Sequence, residues 1–187
     1  MALTLISTPL DITVSDTAVA TVSITSGIDD TYDSYEFHCV GIHPSGASLP
    51  NFVFQVGTAA ESGYDRNMTT AYFAAANQVS GTWTGLYYSA NEDQQNSAQV
   101  FQMLAHGAGD ENDDSSAVIL KLYEPSSTTY VKHFVSVAQM NHHNSSNYQL
   151  NSYASGYINT TAAITRIQFK FDAGNIDAGT IKMFGVS

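Results

Sequence analysis

TRIQFKFDAGNIDAGTIKMFGV, residues 165–186, is the segment that decides the fold class of this chain. In its first half, Ile167, Phe169 and Phe171 alternate with polar residues, and successive strand side chains point to opposite faces. The alternation therefore predicts a strand with one apolar face. Burial of each apolar side chain contributes about 1.5–3 kcal/mol. We predict that this strand forms a hairpin with the strand after its Gly-containing loop, and that the hairpin is central to the fold.

Short alternating segments of the same kind recur along the rest of the chain, separated by Gly, Pro, Asn and Asp. They predict about ten strands and at most a short helix. Gln99–Ala105 fits either a helical turn or a strand. Pro125-Ser126-Ser127 predicts a tight connection between two strands that pair as a hairpin. The whole pattern predicts an all-β fold, an antiparallel β-sandwich of jelly-roll-like type.

The chain has 187 residues, which is enough to bury a core without disulfides. We predict a single β-sandwich domain over residues 19–187. Residues 1–18 fit either an edge strand or an N-terminal arm that docks on a neighbouring molecule, and both alternatives stay open. If the segment is an arm, its partner-binding residues are the apolar Leu3, Leu5, Leu10 and Ile12.

The charge balance excludes several classes of partner. Asp and Glu outnumber Lys and Arg by 17 to 6, which gives a formal net charge of -11 at pH 7. Nucleic-acid binding needs clustered basic side chains, and those of this chain are scattered, so we expect no nucleic-acid partner. We expect no membrane partner either, because no segment approaches the ~20 apolar residues of a membrane span. The N-terminal residues lack a signal-peptide pattern, so we expect synthesis in the cytoplasm.

Neither nucleophilic nor acid–base catalysis has a recognisable set of residues in the sequence. Cys39 is the only cysteine, and its strand context predicts a buried thiol with His38 on the opposite face. The chain has no Gly-x-Ser-x-Gly turn, and nearly all carboxylates fall in predicted loops instead of facing each other in a groove. We therefore expect no enzymatic activity and no cofactor.

Two groups of residues match metal sites only in part. Asp110–Asp114 offers carboxylate and amide oxygens, but Ser115 and Lys121 stand where an EF-hand loop requires Gly and Glu. A solvated loop is the simpler interpretation, with a loose calcium site as the alternative. Four histidines lack the spacing of a zinc site; they are His106, His133, His142 and His143. We expect no bound transition metal.

Aromatic residues give a stronger signal, since the chain has 11 Tyr, 9 Phe and 1 Trp. Tyr suits stacking on sugars and packing at subunit contacts, as well as completing a core. The Tyr residues considered for these roles are Tyr87, Tyr88, Tyr148, Tyr153 and Tyr157. In Gly81–Ser89, Trp83 and Tyr87 fall on one face of a predicted strand. The candidate glycan-binding residues are Trp83, Tyr87, His142 and Asn144.

Three runs of sequence carry a family resemblance: YEFHCVGIHP (Tyr35–Pro44), PSSTTYVKHF (Pro125–Phe134) and the segment Ile164–Ser187. Together they resemble small virion structural proteins of tailed bacteriophages, especially marine and cyanobacterial ones. The similarity runs from about Ala18 to the C-terminus, in the same order. Its motifs are strand and turn residues, so it implies a β-sandwich displayed on the particle and gives no catalytic residues to carry over.

The resemblance implies a non-enzymatic role in the virion, assembled in the host cytoplasm. We expect a capsid decoration (cement) protein that binds the outer head surface, with the major capsid protein or another virion protein as partner. The alternative is a carbohydrate-recognition module of a tail fibre or appendage that binds the host surface. Homo-oligomerisation is left open. A charged content of only 12%, against about 25% in typical domains, agrees with a displayed polar surface.

Overall fold

A computed structural model describes residues 2–46, 49–97, 100–142 and 147–187. These residues contain no helix and form thirteen strands. In chain order the strands are β1 (Leu3–Ile12), β2 (Val22–Ile24), β3 (Ser34–Pro44), β4 (Phe52–Thr58), β5 (Met68–Gln78), β6 (Thr84–Tyr88), β7 (Gln95–Ser97), β8 (Gln102–Ala105), β9 (Ser116–Tyr123), β10 (Lys132–His142), β11 (Tyr148–Ile158), β12 (Ile164–Phe171) and β13 (Ile176–Val186). In the described ranges, no helix is long and apolar enough to cross a membrane.

The strands form two antiparallel sheets, one of nine strands and one of four. The large sheet has the order β1-β13-β3-β9-β10-β11-β5-β6, with β7 also paired to β5, and the small sheet has the order β2-β12-β4-β8. The predicted all-β, sandwich-like antiparallel fold is confirmed. The strand number is thirteen instead of about ten. The additional strands are β1, β7 and β8. Strand β7 has only three residues. Strands β1 and β8 lie in the two segments for which the sequence also allowed another structure, an arm for β1 and a helical turn for β8.

The closing segment does not form the predicted hairpin. Strand β12 pairs with β2 and β4 in the small sheet, whereas β13 pairs with β1 and β3 in the large sheet. The loop at residues 172–175 therefore carries the chain from one sheet to the other. The burial prediction is confirmed, since Ile167 and Phe169 are 0% exposed and Phe171 is 2% exposed. The hairpin prediction was wrong because each strand lines the same core from a different layer.

An aromatic cluster joins the two sheets at the centre of the core. The Phe169 ring of β12 lies 5.6 Å from that of Phe37 on β3 and 5.9 Å from that of Phe52 on β4, between ring centroids. Phe54 on β4 contacts Phe134 on β10 edge-on, at 5.1 Å. Contacts of this kind add to the free energy of burying the rings themselves. The small sheet is therefore held on the large one through Phe side chains.

Several local predictions are settled by the strand assignment. Strands β9 and β10 pair antiparallel on either side of the Pro125 connection, which confirms that hairpin. Gln102–Ala105 is a strand, not a helical turn. Cys39 is 1% exposed and points into the core, whereas His38 faces outward, as predicted. Burial raises the pKa of the Cys39 thiol.

The N-terminal residues form an edge strand of the large sheet. Strand β1 pairs with β13 from Leu3 to Ile12, with irregularities in register on both sides of Ser7. Leu10 is 5% exposed, and Ile12 packs against the core. Leu3 and Leu5 are 51% and 54% exposed. Of the four proposed partner-binding residues, two are thus turned to the chain's own core and two to the surface.

The unequal size of the two sheets leaves part of the large sheet without a strand above it. The small sheet ends at β8, which packs on β10 and β11. The large sheet continues past this point to β5 and β6. We call the region around Phe169 the covered end and the region around β5 and β6 the open end. The candidate site lies at the open end.

Candidate functional site

A hollow of about 280 Å³ opens on the inner face of the large sheet, at the open end. We call it the aromatic pocket. Its floor is Ala76 on β5 and Leu150 on β11, which are both nearly buried. Its walls are the side chains of Trp83, Tyr87, His106, His142 and Tyr148. These residues come from four strands, the turn between β5 and β6, and the loop after β8.

Small side chains create the hollow. Gly85 on β6 lies opposite Ala76 on β5, and Ala76 lies opposite Leu150 on β11. This cross-strand row therefore begins with a glycine and an alanine at the place where no strand lies above the sheet. Large side chains in the same row would fill the space that the second sheet leaves open.

Trp83 is positioned by the turn between β5 and β6. The Trp83 carbonyl accepts a hydrogen bond from the Gln78 amide at 2.9 Å, which closes the turn. The indole then lies against Gly85, where an added Cβ would come within 2.9 Å of Trp83 Cζ2. Glycine at this position lets the ring fold down along β6. Trp83 remains 46% exposed, so one part of its surface is open to a ligand.

His142, at the end of β10, is held by the loop after β8. Its Nδ1 donates a hydrogen bond to the Gly107 carbonyl at 2.9 Å. Gly107 has φ +63, and a Cβ there would lie 2.4 Å from His142 Nδ1. The approach of the imidazole to this loop therefore requires glycine. The His142 ring is 5.9 Å from that of Tyr148, between centroids.

His106 stacks on His142 with the ring centroids 5.8 Å apart and the planes inclined by 21°. Burial is the main reason that the pKa of His106 is lowered, and the neighbouring His142 lowers it further. Glu92 and Asp172 oppose this shift. His106 is therefore neutral at pH 7, and a neutral imidazole carries one donor and one acceptor nitrogen.

Two tyrosines complete the wall. Burial, followed by the negative charge of Glu92, raises the pKa of Tyr87, so its hydroxyl stays protonated at neutral pH. Tyr148 meets Trp83 edge to face, with the ring centroids 5.5 Å apart and the planes at 87°. Both tyrosines pack against the hydrophobic core with part of the ring. The pocket thus combines aromatic surfaces with hydroxyl and imidazole groups at neutral charge.

A second, more polar hollow of about 220 Å³ adjoins the aromatic pocket and shares His142 and Tyr148 with it. Its other lining residues are Val79, Asp113, Asp114, Asn141, Asn147 and Gln149. Amide and carboxylate groups therefore continue from the aromatic pocket along the surface. Two of the acidic residues first considered for calcium, Asp113 and Asp114, lie here. Among the described residues, no three His, Cys, Asp or Glu side chains are grouped so that they could hold a metal ion.

The structure brings together three of the four proposed glycan-binding residues. Trp83, Tyr87 and His142 line the same pocket, whereas Asn144 lies outside the described residues, as does His143. His106 was considered only as a metal ligand, and Tyr148 only as one of several tyrosines. Tyr148 and the buried Leu150 are two residues apart in β11, so strand alternation places both on the inner face. His133 lies on the opposite face of the sheet, near Tyr157.

Comparisons with protein-family models, with curated proteins and with solved structures find no match for this chain. The function of the chain is therefore inferred from its residues and their geometry.

Proposed function

We propose that the chain is a non-enzymatic virion protein of a tailed bacteriophage, and that its aromatic pocket binds a neutral sugar of a host-surface glycan. The observation that carries this proposal is the convergence of Trp83, Tyr87 and His142 on one pocket. The virion context comes from the sequence resemblance. The geometry favours recognition over decoration, because half of the supposed docking arm is packed in the chain's own core.

The pocket matches the two surfaces of a sugar ring. A pyranose has a face of C–H groups, which packs on the electron-rich face of an aromatic ring, and Trp83 and Tyr148 supply such rings. Small-ligand pockets typically have volumes of about 300–1,000 Å³ with a few well-placed polar groups. A volume of about 280 Å³ lies just below this range. The pocket therefore suits a single sugar ring, with further rings lying along the polar hollow.

The polar groups of the pocket match sugar hydroxyls, which donate and accept hydrogen bonds. Neutral His106 offers a donor and an acceptor nitrogen, and the protonated Tyr87 hydroxyl offers the same pair of functions. The Trp83 indole adds an N–H donor. Trp83 packs on Tyr148 and His106 packs on His142. Such packing restricts the rotamers of these rings, which lowers the conformational entropy lost when a sugar binds.

The charges around the pocket favour neutral glycans over anionic ones. In the described part of the chain, neither the aromatic pocket nor the polar hollow has a Lys or Arg in its lining. Asp113 and Asp114 lie along the polar hollow, and the chain as a whole has a net charge of -11. A uronic or sialic acid would meet like charges here, which weakens binding.

A glycan array probed with an oligomerised preparation tests this proposal. We expect bound glycans to share a neutral terminal sugar. Trp83→Ala and Tyr87→Ala should each reduce binding by about tenfold or more, since buried aromatic anchors carry most of the affinity at such sites. Tyr130→Ala is the matched control, because Tyr130 is 66% exposed and lies outside the pocket. An array without hits, or equal losses in all three variants, would contradict sugar binding in this pocket.

Capsid decoration remains a second candidate, favoured by the exposed edge of β1. Leu3 and Leu5 are about half exposed on the outermost strand of the large sheet. An edge strand with free apolar side chains is a template for pairing with a neighbour. Cryo-electron microscopy of purified virions separates the candidates: density on the head lattice supports decoration, and density at the tail or fibre tips supports recognition. The double variant Leu3→Ser, Leu5→Ser should then lose capsid binding while its melting temperature stays close to that of the wild type.

A further inference from the structure

The outer face of the large sheet is unusually apolar for a solvated surface. Eight of the fifteen exposed large hydrophobic side chains in the described residues lie on this one face. They are Val40, Phe73, Leu86, Tyr88, Ile119, Tyr123, Val135 and Val137. We call this set the outer apolar face. A contiguous apolar patch on a protein surface marks an interaction site.

The register of the strands makes this face continuous. Ile119 on β9 lies opposite Val137 on β10, and Val137 lies opposite Tyr153 on β11. Tyr153 in turn lies opposite Phe73 on β5, which lies opposite Tyr88 on β6. One row of apolar and aromatic side chains therefore crosses five neighbouring strands.

The outer apolar face is also the least acidic part of the chain. The five strands β9, β10, β11, β5 and β6 contain no Asp or Glu, although the chain has 17 of them. Two carboxylates border the face. Glu36 on β3 is paired with Lys121 and His38. The Asp93 carboxylate accepts a hydrogen bond from the Tyr88 hydroxyl. Two copies of a chain with a net charge of -11 repel each other, and this face is where they can meet with the least repulsion.

A ridge and a hollow lie side by side on this face. The rings of Phe73 and Tyr153 stack at 4.8 Å with an interplanar angle of 10°, and they form the ridge. Beside it, a hollow of about 300 Å³ lies over Ala117, between Val40, Ile119 and Val137. Strand β10, which carries Val137, lines the side of the hollow that faces the ridge.

We propose that the outer apolar face packs against the same face of a second copy of this chain, in a two-fold symmetric dimer with its axis at β10. A two-fold axis in this position places the ridge of each copy in the hollow of the other. Self-complementarity of this kind is what a two-fold interface requires. The aromatic pocket lies on the inner side of the sheet and stays open in the dimer. The proposal therefore does not depend on sugar binding.

The outer apolar face is smaller than the interface of a typical stable dimer. Six strands about 4.8 Å apart and a length of about six residues give a footprint of roughly 500 Å² per copy. Stable specific complexes bury about 800 Å² per partner. The expected dimer is therefore weak, and monomer and dimer exchange with protein concentration.

Sedimentation velocity over a range of protein concentrations tests the dimer. We expect the wild type to shift from monomer to dimer, and Val137→Asp to raise the dissociation constant by about tenfold or more, since each copy's carboxylate would face the other across the axis. Val79→Asp is the control, because Val79 is 79% exposed in the turn between β5 and β6, away from the face. The double variant Ile119→Thr, Val137→Thr keeps the strand propensity and should also weaken the dimer.

Salt separates self-association from capture of another partner. Added salt should strengthen this dimer, because it screens the repulsion between two acidic chains. A monomer at every concentration would overturn the proposal. A dimer that Val137→Asp and the Thr double variant leave unchanged would overturn it as well, since the contact would then lie elsewhere. Thermal unfolding of each variant checks that the fold is intact.

Discussion

The covered end and the open end of the large sheet use the same kinds of residue for different purposes. At the covered end, Phe169 is 0% exposed among the rings of Phe37, Phe52 and Phe54. At the open end, Trp83 is 46% exposed and forms one wall of a hollow. The difference is the presence of a second sheet above the rings. Aromatic residues therefore pack in the core or line an open hollow according to what covers them, and not according to their type.

The largest expected effect separates the two ends by stability. Phe169→Ala removes a fully buried ring from the contact between the sheets, and it should lower the free energy of unfolding by about 3–5 kcal/mol. Urea denaturation of the two proteins measures the difference. Sugar binding at 20 °C should persist in the fraction that stays folded. A loss below about 1 kcal/mol would mean that the contact between the sheets is not where stability resides.

Gly107→Ala should have an intermediate effect and act on the open end. The positive φ at this position and the contact with His142 both oppose a side chain, so we expect a cost of about 1–3 kcal/mol. The variant should also weaken sugar binding, because the His142 ring must move. Gly46→Ala is the control, since Gly46 has φ +59 but open space around its Cβ position. Equal effects on sugar binding in the two variants would show that backbone strain alone matters.

Trp83→Ala should have a smaller effect on stability than either of these substitutions. The ring is about half exposed, so its truncation should cost about 1–2 kcal/mol. The same change should remove most of the sugar affinity. Denaturation and binding measured on one preparation test this dissociation of effects. A stability loss as large as that of Phe169→Ala would place Trp83 in the core and remove the contrast between the ends.

The smallest effect is a pH dependence from His106. The folded-state pKa of His106 lies below its ordinary value. As the pH falls, the unfolded chain therefore binds a proton at this residue before the folded chain does. Its contribution to stability should therefore be complete at pH 7.5 and decrease as the pH falls through the ordinary value of about 6.5. His106→Gln should remove that component. Urea denaturation of both proteins at pH 7.5 and 5.5 gives the change in the free energy of unfolding between the two pH values. The same change in the wild type and in His106→Gln would contradict the prediction.

Strand positions and burial follow from the sequence because alternation is a local property. Phe169 and its neighbours were identified as core, and Cys39 as a buried thiol, from period-two patterns alone. The sheet to which each strand belongs is not local. The loop at residues 172–175 contains Ala, Gly and Asn, which suit a hairpin turn and a crossing between sheets equally well. This is why the closing hairpin was predicted where two sheets meet.

The pocket was predictable in part for the same reason. Trp83 and Tyr87 are four residues apart and fall on one face by alternation, although β6 itself begins at Thr84, so their grouping could be predicted from the sequence. The positions of His106 and His142 depend on how the end of β8 approaches β10, and on the backbone of Gly107. These are contacts between distant segments, and no local pattern encodes them.

Fluorescence of Trp83 tests the central claim most directly, because it is the only tryptophan in the chain and lies in the aromatic pocket. The measurement is a titration of the intact protein with the neutral sugars found on an array, with Tyr87→Ala as the comparison. If the pocket binds sugar, the emission of Trp83 should shift to the blue and the shift should saturate. The sugar affinity obtained from this titration should be about tenfold lower in Tyr87→Ala. An emission spectrum that stays unchanged while the same sugars bind by calorimetry would place recognition elsewhere and contradict the account.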